Sequence, residues 1–141
     1  MGGLVAPTPF PDGTSIYCSG TLISPTVFLT AAHCAEGGSD KVRVTFSTAY
    51  KDGDGTYAGT FHGDPLFNQA QSDPHDIAVV VFGDPVLGIT PATLPTAGSL
   101  SKLPNTQTFT PVGYARRSTR SCESEVAASG SPRPTEISCS W

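Results

Sequence analysis

Nowhere along this sequence does a helical period survive for long before a glycine or a proline cuts it. The chain has 15 Gly and 13 Pro among 141 residues, and they separate short runs with strand character rather than interrupting long ones. Ser15 to Ile23 and Val27 to Thr30 read as two strands parted by the turn Ser24-Pro25-Thr26. Lys41 to Ser47 alternates strictly and places Val42, Val44 and Phe46 on one face. After the loop Asp52-Gly53-Asp54-Gly55, Thr56 to His62 is the expected returning strand. Ile77 to Phe82 is apolar throughout, as in a strand buried on both sides. Gly83 to Thr106 reads as an extended, irregular connection, and Gln107 to Tyr114 as one more strand. No helix of normal length and no internal repeat is evident. The expectation is an all-β chain forming a barrel or a sandwich.

Composition narrows the partners. Hydrophobic residues make up 38% and charged ones 14%, enough for one domain with a modest core. A net charge of -4 gives no electrostatic reason to expect nucleic acid or an anionic membrane. No apolar run approaches the roughly 20 residues that span a bilayer. Met1 to Pro7 lacks the basic start and the apolar stretch of a secretory signal.

The charge also shifts along the chain. Up to residue 112, four basic residues face nine acidic ones; from Gly113 onward four arginines face three glutamates, and seven serines crowd the last 29 positions. Residues 115–141 have no apolar period, and are expected to be disordered because they cannot bury enough surface to offset their ordering entropy.

Two stretches carry chemistry. The first is Cys18-Ser19-Gly20-Thr21-Leu22-Ile23-Ser24 followed by Phe28-Leu29-Thr30-Ala31-Ala32-His33-Cys34; the second is His75-Asp76-Ile77-Ala78-Val79-Val80-Val81. Together, in this order, they resemble the histidine and aspartate motifs of chymotrypsin/trypsin-like serine peptidases. The resemblance covers roughly residues 3–114, about the first barrel of a two-barrel fold and the strand that begins the second. It implies that His33 is a general base, that Asp76 orients it, and that Cys18 and Cys34 form a disulfide fixing the histidine loop. An orienting carboxylate holds one ring nitrogen so that the other can take a proton, and it stabilises the imidazolium that results. A disulfide further implies an oxidising compartment, which for this family is extracellular, and the implied partner is a polypeptide substrate.

The family's third catalytic group is a serine in a Gly-Asp-Ser-Gly-Gly setting, whose backbone N–H groups also form an oxyanion hole. These 141 residues contain neither that segment nor any Gly-x-Ser-x-Gly. Ser129-Gly130-Ser131-Pro132 is the nearest approach, and neither Cys122 nor Cys139 lies in a glycine-rich setting. The expectation is a truncated serine endopeptidase, 1–114 being the barrel and 115–141 a tail that an altered reading frame would explain, with the start of the chain lying inside an early strand. The alternative is a non-catalytic binding module that kept the barrel and lost the chemistry. Neither reading calls for a cofactor or a metal. Asp52-Gly53-Asp54-Gly55 looks like a calcium loop but has Tyr57 where the loop pattern needs glycine, so it reads as an acidic turn. His33, His62 and His75 match no zinc spacing, and His62 and His75 read as surface loop residues.

Overall fold

In a computed structural model of the chain, residues 1–35, 40–104, 106–110 and 112–114 are described. Six strands form: β1 (Gly2–Val5), β2 (Ile16–Ser24), β3 (Val27–Thr30), β4 (Lys41–Thr45), β5 (Tyr57–Gly63) and β6 (Ala78–Phe82). All neighbouring pairs are antiparallel, and the order β1-β2-β3-β6-β5-β4 closes on itself through the pairing of β1 with β4. Two single 3-10 turns, Ala32–Cys34 and Leu100–Lys102, are the helical elements among the described residues. Chain breaks fall where the sequence places Gly, Pro and Asp: Asp12 caps the turn before β2 by accepting from the Thr14 N–H at 3.0 Å. Asp54 does the same for the Lys51 N–H at 2.8 Å in the acidic turn before β5.

The interior is built on alternation. Leu4, Leu22, Phe28, Val44 and Val80 are buried, one from each of five strands. Phe28 lies at the centre, edge-on to Phe46 with ring centroids 5.9 Å apart. Burying side chains of this size contributes about 1.5–3 kcal/mol each, which makes Phe28 a principal anchor of the barrel. β1 can pass close to its neighbours because it starts with glycines: a Cβ at Gly3 would lie 2.6 Å from Ile16 and 3.1 Å from the Tyr114 ring. Tyr114 is held there by two hydrogen bonds, its N–H donating to Ser19 Oγ at 2.7 Å and its hydroxyl to the Ser47 carbonyl at 2.6 Å.

Four sequence expectations need correction. The apolar run from Ile77 is not buried on both sides. Ala78, Val80 and Phe82 face the core, whereas Val81 is 40% exposed and Ile77, outside the strand, is 50% exposed. A barrel has one interior, and apolar composition does not reveal that alternate residues point out of it. Second, the described residues between Gln107 and Tyr114 form no strand, since the closed sheet offers them no edge to pair with. Closure through β1 and β4 leaves the six strands without an unpaired edge. Third, His62 lies within β5 rather than in a loop, although it is exposed. The alternating strand Lys41 to Ser47 ends at Thr45, and Phe46 turns its ring onto Phe28 and Tyr57. The expected disorder of residues 115–141, and Cys122 and Cys139 with them, lie outside the described residues.

Candidate active site

Antiparallel register brings the two motifs together. Thr30, the last residue of β3, is paired with Ala78, the first of β6. Continuing past Thr30 leads to His33, and stepping back from Ala78 leads to Asp76, so both emerge at the same end of the barrel. Ala31 is still extended, and the chain then tightens into the turn Ala32–Cys34. Cys34, buried on this turn, is bonded to Cys18 of β2 with a Cα–Cα distance of 6.1 Å. The disulfide therefore anchors the turn that carries His33 to a strand on the other side of β3. The pairing of Cys18 with Cys34 inferred from the sequence is present.

His33 and Asp76 meet at two points. The ring Nδ1 lies 2.7 Å from Asp76 Oδ2, and the His33 backbone N–H donates to Oδ1 at 2.9 Å. The two side chains are 45% and 28% exposed, so the pair lies at the surface with one edge of the imidazole open to solvent. Withdrawal from water pushes the Asp76 pKa upward. The His33 ring bond, the His33 N–H, attraction to the ring and the Ala32 N–H outweigh it together, and the carboxyl is held below its ordinary value. At neutral pH the group is thus a carboxylate, able to accept from Nδ1–H and to leave Nε2 as the proton acceptor.

Other candidates fall elsewhere. His75 directly precedes Asp76, and its Nδ1 is 3.7 Å from Asp64 Oδ2. His62 lies on the outer face of β5. Among the described residues, Cys18, His33 and Cys34 make up the cluster with three potential metal-ligating groups, but its two sulfurs are bonded to each other and are not thiolates. Sequence reading did not find Ala32 as a donor to Asp76, nor the contact of His75 with Asp64. A proline-histidine step before an aspartate carries no local signal for either.

The family model described as Trypsin matches residues 8–133. The chain belongs to the Trypsin family. Trypsin-family proteins are serine-type endopeptidases acting on polypeptides and are commonly secreted, and the all-β barrel is consistent with a trypsin-like barrel. The match spans both motifs, and it continues past Tyr114 into the segment outside the described residues. None of the curated proteins matches the chain.

Proposed function

We propose that these residues carry the base and its orienter from the acyl-transfer machinery of a serine endopeptidase, with His33 as general base and Asp76 holding it. The observation that supports this most is the two-point contact, Nδ1 to Oδ2 at 2.7 Å and N–H to Oδ1 at 2.9 Å. A carboxylate bound both to the ring and to the backbone of one histidine fixes the ring's rotation as well as its tautomer. The proton stays on Nδ1, and Nε2 presents a lone pair outward. When Nε2 takes a proton from a nucleophilic hydroxyl, the imidazolium formed is stabilised by the adjacent negative charge. Asp76 needs no proton transfer of its own for this.

In this reading residues 1–114 form the barrel unit, and the chain as it stands does not hydrolyse peptides. These 141 residues contain no glycine-rich serine segment, so within them the base is offered neither the family's serine hydroxyl nor its oxyanion hole. A fluorophosphonate probe followed by intact-mass measurement tests this directly. The expected result is no serine adduct above background. A stoichiometric adduct that disappears in His33→Ala would show that a serine of this chain is activated, and would overturn the proposal of inactivity.

A further inference from the structure

We infer that His75 is a positioning residue: a left-handed turn at His75, facing Asp64 at the end of β5, aims the Asp76 carboxylate at His33. The inference rests on the base-and-orienter reading above.

Among the described residues, His75 is the non-glycine residue with positive φ, at 51°. That conformation is uncommon outside glycine, although histidine is among the residue types enriched there. It falls directly before the residue whose direction matters. The Ile77 N–H donates back to the His75 carbonyl at 2.8 Å, so Asp76 is the middle residue of a three-residue turn. Its side chain is thereby thrown outward, towards the end of β3, rather than along the line of β6.

The turn is held from both sides. The Asp64 N–H donates to the Ile77 carbonyl at 2.9 Å, and the Asn68 N–H donates to the Pro74 carbonyl at 2.9 Å. Asp64 directly follows Gly63, which is in register with Ala78, so its backbone is fixed by the ladder between β5 and β6. Its Oδ1 accepts from the Leu66 N–H at 2.8 Å. That leaves Oδ2 facing His75 Nδ1 at 3.7 Å, a distance longer than a direct hydrogen bond. The His75 N–H also reaches Asp73 Oδ1 at 3.4 Å. A residue that resists positive φ at this position would rotate the following peptide and swing the Asp76 carboxylate off Nδ1.

Proton NMR of the full chain tests this through the His33 Nδ1–H, whose exchange with solvent reports the bond to Asp76. Backbone amides of Phe28 and Val80 serve as internal reference for the barrel. In His75→Val, which disfavours positive φ, the Nδ1–H should exchange faster by about tenfold while both reference amides are unchanged. His75→Asn tolerates the conformation and should stay within about threefold of the parent. Asp64→Asn should fall between the two, and it decides the matter if His75→Val does not fold. Unchanged Nδ1–H exchange in His75→Val or, failing that, in Asp64→Asn overturns the inference, as does an equal acceleration of the Phe28 and Val80 amides. A protected Nδ1–H that persists in Asp76→Asn would instead overturn the reading of Asp76 as orienter.

Discussion

The charge on Asp76 is the result of opposing influences within a few ångströms. Burial raises its pKa, and the hydrogen bonds and charge of His33, with the Ala32 N–H, lower it further than burial raises it. A carboxyl whose folded pKa lies below its unfolded value, about 3.9 for aspartate, releases its proton more readily in the folded chain. Its contribution to stability is therefore complete above that unfolded value and is lost as pH falls through the folded one. Asp76→Asn removes the charge but keeps the shape. We expect it to cost about 1 kcal/mol at neutral pH, less than the roughly 1.5–3 kcal/mol of a hydrogen bond to a charged group because the site is open to water. The gap between parent and variant should close in acid, as pH falls through the folded-state pKa of Asp76, which lies below the ordinary aspartate value. Urea unfolding at neutral and at acid pH measures it. A gap of the same size at each would mean that the ionised carboxylate contributes nothing to folding through His33.

At the level of elements, the turn bearing His33 is short and would be poorly determined by its own hydrogen bonds. It has two backbone bonds, from Cys34 to Ala31 at 3.3 Å and from Ala35 to Ala32 at 3.1 Å. Its rigidity comes from the disulfide to β2 and from Asp76 ahead of β6. Replacing both cysteines by serine, Cys18→Ser with Cys34→Ser, opens a loop with a sequence separation of 16. The cost should be about 3 kcal/mol on the chain-entropy account. Hydrogen exchange should show the His33 and Ala35 amides loosening ahead of Phe28 and Val80; uniform loosening would mean that the bond supports the barrel rather than the turn. The residues around this turn explain what the sequence revealed. Cys18, His33, Cys34 and Asp76 were legible because their types and order are local, and antiparallel pairing of β3 with β6 does the rest. Other features depend on partners distant in sequence. Val81 is as apolar as Val80 but points outward, and Gln107 to Tyr114 has strand composition without an edge to join. The positive φ of His75 and its contact with Asp64 depend on where β5 ends, which the segment from Asp73 to Asp76 does not encode.

For the molecule as a whole, closure of the sheet separates two routes to self-association. Because β1 pairs with β4, the six strands present no unpaired N–H and C=O row to another chain. The apolar surface is a different matter. Within residues 83–112, Leu87, Leu94, Leu100, Leu103, Phe109 and Val112 are all exposed, Leu87 at 77% and Val112 at 71%. Single exposed leucines are ordinary, but a succession of them along one irregular connection provides surface for association. Among its described residues, Val86 is buried in the core and Ile89 packs against it partly buried, so this connection contributes little to the barrel interior. Association should therefore be separable from folding. We expect size-exclusion chromatography with light scattering to show a mass that rises with concentration, together with strong binding of a hydrophobic dye. The triple substitution Leu94→Ser, Leu103→Ser and Phe109→Ser should shift the chain towards monomer and weaken dye binding. The unfolding midpoint measured at low concentration should move little, since substitutions at exposed sites of this kind usually change stability by about 0.5 kcal/mol or less. A parent that runs as a sharp monomer at every concentration would sink the prediction. A triple variant that loses cooperative unfolding would show instead that the connection is part of the barrel's core.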